Sequence, residues 1–210
     1  MGSRMMHLII ADQVSKQLAI DNKQTFLLGG IAPDAAFSRE RKTASHFYEG
    51  SLEDGTRSVS YYQFIAKYPV DIQRDYGLGY LTHLVSDDVW MKEIYFKNDF
   101  KPRIDADPGL LERWHSDFRK LNGMLVDCFD CGNLRQELLD SEFVKNDITE
   151  IQTADLQLFK EETLKDFESK QEISLQELQV YTLQQILDYI DFSTSEAIRI
   201  CQSVQKNLKE

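Results

Sequence analysis

Tyr80-Leu81-Thr82-His83-Leu84-Val85-Ser86-Asp87-Asp88-Val89-Trp90 sets a histidine and a carboxylate four residues apart inside a strongly helical pattern. On a helix, positions i and i+4 lie one turn apart on one face, so His83 and Asp87 can grip a single metal ion. Many His-x-x-x-Asp pairs arise by chance, and this one gains weight from its company. The chain has only four histidines, and two of the others stand among apolar or aromatic neighbours, in Met5-Met6-His7-Leu8-Ile9-Ile10 and Ser45-His46-Phe47-Tyr48. Buried polar groups need partners.

Outward from this stretch the periodicity is helical almost throughout, and no alternating run is long enough to argue for a sheet. The fold class expected is all-α, in a single domain over residues 1–210. Residues 1–135 bear the site and residues 136–210 supply packing helices. The quoted stretch belongs to a long helix from about Gln73 to Phe96, preceded by a helical segment from Tyr61 that stops at Pro69. Gly77 and Gly79 either admit another backbone to close contact or are merely tolerated. A first helix covers about Met5 to Leu18, where His7, Ile10, Ala11, Val14 and Leu18 share a stripe that points His7 inward. Phe26-Leu27-Leu28-Gly29-Gly30-Ile31-Ala32-Pro33-Asp34-Ala35 begins apolar and breaks at its glycines and proline, which puts Asp34 in a turn against the core.

From Ala36 to Ser60 a long polar loop is expected, anchored by His46, Phe47 and Tyr48. Asp107-Pro108 reads as N-cap and first residue of a helix through Trp114, His115 and Leu121. Capping boxes at Ser174-Leu175-Gln176-Glu177 and Ser193-Thr194-Ser195-Glu196 open the last two helices, and Leu183, Ile186, Leu187 and Ile190 make a core stripe.

Asp and Glu number 35 against 24 Lys and Arg, so general nucleic-acid binding through a whole-surface positive field is disfavoured. No apolar run approaches the roughly 20 residues of a transmembrane helix, and Met1 to Gln13 lacks the features of a secretory signal. The chain reads as cytoplasmic. Three cysteines suit that compartment: Cys128-Phe129-Asp130-Cys131 has no second pair to complete a zinc site, and these thiols, with Cys201, read as mostly buried, a redox or metal role for the pair being the alternative.

The candidate metal ligands are His7, Asp34, His46, His83 and Asp87. Imidazole and carboxylate without thiolate suit Zn²⁺ or another first-row divalent ion, and a carboxylate such as Asp87 can place one oxygen on each of two ions. Each has an alternative: a histidine among apolar residues can be a satisfied core residue, and an aspartate after proline can form a turn.

The order His7, then Gly29-Gly30-Ile31-Ala32-Pro33-Asp34, then Ser45-His46-Phe47, then Gly79-Tyr80-Leu81-Thr82-His83-Leu84-Val85-Ser86-Asp87 resembles the zinc-dependent phospholipase C family. That family shares its fold with the single-strand-specific zinc nucleases, and the likeness covers about the first half of the chain. The resemblance implies an all-α fold and a zinc cluster. By it, Asp34, His46, His83 and Asp87 hold one ion, while His7 and the other oxygen of Asp87 hold a second. Secreted family members complete one site with the amine and carbonyl of an N-terminal tryptophan, whereas here six residues precede His7. The family's further zinc uses a second His-x-x-x-Glu or His-x-x-x-Asp, which is missing, and leaves Glu93 and His115 as candidates for an additional ion.

Two bound zinc ions would supply hydroxide near pH 7 and positive charge for phosphoryl oxygens, so phosphoester hydrolysis is the implied reaction. Asp34 would orient the water. Arg39, Arg41 and Lys42, just ahead of His46, are placed to pair with a substrate phosphate, the alternative being a solvated charged loop. The partner expected is a small phosphoester or a phospholipid headgroup. Two other readings are a non-catalytic or weakened metal-binding protein of the same fold and a histidine-aspartate-domain phosphohydrolase, whose adjacent His-Asp doublet does not occur.

Overall fold

Helix α5 (Asp75–Val89) has every residue after Asp75 buried, so the other elements are arranged around it. The computed structural model describes residues 3–129, 131–168 and 178–207. It is 69% helix and 2% strand, and its helices share one hydrophobic core, as an all-α single domain requires. Helices α1 (Arg4–Ser15), α2 (Lys23–Ile31) and α10 (Leu183–Asn207) pack directly on α5.

The α2–α5 crossing is a contact of backbone on backbone. A Cβ at Gly79 would stand 2.0 Å from the Phe26 carbonyl oxygen, and one at Gly29 would stand 2.1 Å from that of Tyr76. Glycine is required at both positions because no side chain fits between the helices. Gly29 and Gly30 therefore lie within α2 and do not break it, contrary to expectation. The helix gives way only at the 3-10 turn Ala32–Ala35, where Pro33 enters and Asp34 is presented.

The long helix expected from about Gln73 is α5 continued without interruption by a π-helical stretch, Trp90–Phe96. Residues 36–60 are more ordered than a loop: they hold α3 (Arg39–Ser45) and an antiparallel hairpin of two short strands, Tyr48–Glu49 and Ser58–Val59. Helix α3 escapes a periodicity reading because Ser45 is its one buried residue; its start is set by Ser38, whose Oγ accepts from the Arg41 amide at 3.2 Å. Strands of two residues are too short to show alternation.

Helix α4 (Tyr61–Lys67) ends before Pro69 as anticipated, and α6 (Phe100–Ala106) precedes α7 (Leu110–Cys128). Asp107 does not cap α7. Its carboxylate accepts from the Gly109 amide at 3.1 Å and makes a turn that leads into the helix. Helices α8 (Leu134–Leu139) and α9 (Thr153–Asp166) cover α2 and the Ala32–Ala35 turn. The expected box at Ser174–Glu177 falls outside the described residues. Ser193–Glu196 lies within α10, with Ser193 fully buried, so the spacing there carries no capping role. The box that opens α10 is Thr182 with Gln185: the hydroxyl accepts from the Gln185 amide at 3.1 Å and the Gln185 side chain accepts from the Thr182 amide at 2.9 Å. Ile186 and Ile190 are fully buried and Leu183 and Leu187 pack beside them, as the stripe indicates.

Cys131 and Cys201 are buried as read, whereas Cys128, at the end of α7, is exposed. Among the described residues no helix is long and apolar enough to cross a membrane.

Gly79→Ala should destabilise the chain by about 3 kcal/mol or more in chemical denaturation, since two backbones would have to separate. Gly109→Ala, where the nearest atom is the flexible end of Arg113, should cost far less; equal effects would refute the crossing as the reason for glycine.

Candidate metal centre

Five side chains from four elements meet beside the α2–α5 crossing: His7 from α1, Asp34 from the 3-10 turn, His46 at the C-cap of α3, and His83 with Asp87 from α5. The three histidines and Asp87 are all but inaccessible, and Asp34 is 9% exposed at its side chain. Two ligand groups converge, His7 with His83 and Asp87, and Asp34 with His46 and His83, each with donor atoms within 4.8 Å of one another.

The outer nitrogens fix the tautomer that each ring takes when neutral. His83 Nδ1 lies 2.9 Å from the Gly30 carbonyl, and His46 Nδ1 lies 2.9 Å from that of Lys42. A carbonyl only accepts, so both Nδ1 atoms carry hydrogen. Ser45 Oγ, 2.9 Å from His46 Nδ1, directs its own proton to the Pro33 carbonyl at 2.8 Å. His7 Nδ1 lies 3.0 Å from Ser86 Oγ, and that hydroxyl donates to the His83 carbonyl at 2.8 Å, so His7 Nδ1 is again the donor. Burial lowers the His7 pKa to about 4 and carries that of His83 well below the usual histidine range, which keeps both rings neutral.

Every inward Nε2 of these tautomers therefore presents a lone pair. His46 Nε2 and His83 Nε2 face each other at 3.4 Å, and His7 Nε2 is buried without a hydrogen-bond partner. The carboxylates add oxygens to the same space. Asp87 turns Oδ1 to His7 Nε2 at 3.4 Å and Oδ2 to His46 Nε2 at 3.4 Å, while Asp34 Oδ1 stands 3.4 Å from His46 Nε2 and its Oδ2 3.9 Å from His7 Nε2. Lone pairs facing lone pairs repel, and the arrangement is complementary to a cation at its centre. The donor set thus fits one or two divalent ions such as zinc, and the two oxygens of Asp87 are divided between two histidines as a bridging carboxylate requires.

Burial would push the Asp34 carboxyl up, but the Lys42 ammonium at 3.0 Å holds it well below the usual range. Asp34 in turn raises the Lys42 pKa. Tyr48 stacks on His46 with ring centres 5.1 Å apart and donates its O–H to Asp87 Oδ2 at 3.2 Å. Tyr48 and Lys42 separate the cluster from a cavity of about 700 Å³, which Arg39 also lines.

The remaining candidates part from the cluster. Arg41 pairs with Asp155 of α9 at 2.5 Å, so of the three basic residues only Arg39 and Lys42 face the cavity. Glu93 is exposed and pairs with Lys97 at 3.0 Å, and His115 is exposed at the cavity rim; neither belongs to a converging ligand group. Sequence reasoning passed over Ser45, Ser86 and the Gly30 carbonyl, which orient the imidazoles, and over Arg57, whose guanidinium lies 5.2 Å from the Tyr48 ring centre. Ser86, directly before Asp87, was the available signal: a buried hydroxyl needs partners.

No protein-family model, curated protein or solved structure matches the chain. The case for a metal centre stands on this geometry.

Asp87→Asn keeps the Tyr48 bond through its side-chain oxygen but removes the charge that faces both His7 and His46. It should therefore lower zinc affinity about tenfold or more in isothermal titration, with little loss of helical content. Unchanged zinc affinity would show that Asp87 is not a ligand.

Proposed function

We propose that the cluster holds one or two zinc ions and that the chain is a zinc-dependent phosphoester hydrolase with the fold of the phospholipase C family. The observation that carries this reading is the 3.4 Å approach of the inward nitrogens of His46 and His83, with oxygens of Asp34 and Asp87 beside them. The ligand order along the chain and the mostly helical single domain support the family reading. Bound zinc supplies positive charge for phosphoryl oxygens and lowers the pKa of a water to about 7.

The chain's own residues supply the rest. Asp34 is held ionised by Lys42, and its Oδ2 is the freer oxygen, so that atom takes the proton of the attacking water. Lys42 reaches from Asp34 to the cavity, where its ammonium can meet a phosphate. Tyr48 fixes the Asp87 carboxylate and closes one side of the cluster against solvent. A further ion has no place in this reading, because Glu93 and His115 do not converge on it. His7 lies in α1, and its own amide donates to the Ser3 carbonyl at 3.2 Å, so backbone groups there are spent on the helix. A second ion would then rest on His7 and Asp87 with solvent for its other partners.

Hydrolysis of bis(p-nitrophenyl) phosphate by the zinc-loaded protein tests the proposal. Asp34→Asn should lower kcat about 100-fold, in line with the loss of a positioned base, whereas Glu93→Ala should leave rate and zinc content unchanged. No turnover of phosphodiesters or phosphomonoesters by protein with zinc bound would overturn it, as would full activity in Asp34→Asn.

A further inference from the structure

The cavity beside the cluster has a charged lining that is mainly cationic, in an acidic chain. Its cationic lining residues are Arg39, Lys42, Arg57 and Lys101, against the single carboxylate Asp105, in a chain of formal net charge −11. Both oxygens of Asp105 lie 2.7 Å from Lys101, which Glu53 also approaches at 3.1 Å, so that ammonium is paired. Arg39 and Arg57 enter no ion pair among the described residues, and Arg57 Nε is buried without a hydrogen-bond partner.

The cavity has a second property. Tyr95, Trp114 and Phe118 form an aromatic wall, held by an aromatic cluster in which Trp114 packs on Phe100 with ring centres 4.6 Å apart and Phe118 stacks on Tyr181 at 5.7 Å. Taken alone, such a wall suits either a flat aromatic ring or a quaternary ammonium group. The charges discriminate: Lys42 and Lys101 are already paired with carboxylates, so an ammonium would enter beside two unpaired guanidinium groups, while an anion would meet two guanidinium groups that have no other acid to satisfy. The face of Tyr48 is already occupied by Arg57.

We propose that this cavity selects a phosphoester of a flat aromatic group and rejects one that carries a quaternary ammonium. It rests on the hydrolase reading only for the choice of phosphorus as the atom attacked; the selection itself belongs to residues outside the cluster. The aromatic body lies along Trp114 and Phe118, and the phosphoryl oxygens lie toward Arg39, Arg57 and Lys42.

Phosphonates, which lack a hydrolysable P–O ester bond, test this by isothermal titration of the full chain, with and without zinc. Phenylphosphonate should bind at least tenfold more tightly than 2-(trimethylammonio)ethylphosphonate. Arg57→Ala should weaken phenylphosphonate at least threefold, and Arg57→Lys should restore part of the loss, which separates lost charge from lost folding. Equal or tighter binding of the ammonium phosphonate, or unchanged binding in Arg57→Ala, would overturn the proposal. A chain that takes up no zinc yet keeps the preference would refute the hydrolase and uphold the selection; a zinc hydrolase that prefers the ammonium compound would do the reverse.

Discussion

The hydrogen bond from His83 Nδ1 to the Gly30 carbonyl, 2.9 Å long, ties the core of the fold to the chemistry of the site. It exists because α2 and α5 touch through glycine, close enough that a carbonyl of one helix reaches a side chain of the other. The same contact buries the imidazole, commits its outer nitrogen and points the inner one at His46. A larger residue at Gly79 or Gly29 would force the helices apart and disorganise the ligands with the core.

The centre is an electrostatic liability that the surrounding fold tolerates. Three imidazoles and two carboxylates occupy a space with almost no solvent, and their ligand atoms face inward. Removing ionised groups from water is costly without a compensating charge, and the ammonium of Lys42 stands 3.0 Å from Asp34. Rigidity follows from partners at the rear, where Ser86, Gly30 O and Lys42 O each fix one ring. A divalent ion would convert the repulsion into binding free energy and stabilise the folded chain by mass action.

The five converging side chains were legible because histidine is scarce here and because i,i+4 spacing on a helix has one geometric meaning. The all-α class was legible from period alone. What lay outside the sequence was tertiary: Gly29 and Gly30 look like breakers until a second helix is laid across them, and Arg41 turns from the cavity because α9 offers Asp155. Helix α3 has one buried residue and no stripe to read. The Ser193 capping spacing recurs inside a helix, where backbone donors are already satisfied, while the working box at Thr182 uses Gln in place of Glu. Arg57 and Lys101 reach one cavity from a hairpin and from α6, a convergence that no local pattern encodes.

The most direct measurement is the metal content of the purified, tag-free chain by elemental mass spectrometry after mild dialysis and zinc loading. The account predicts about two zinc or similar divalent ions per chain, or one where the His7 side of the cluster binds weakly. No retained ion after incubation with excess zinc would contradict it, and would make His7, His46 and His83 core residues whose facing nitrogens serve no metal.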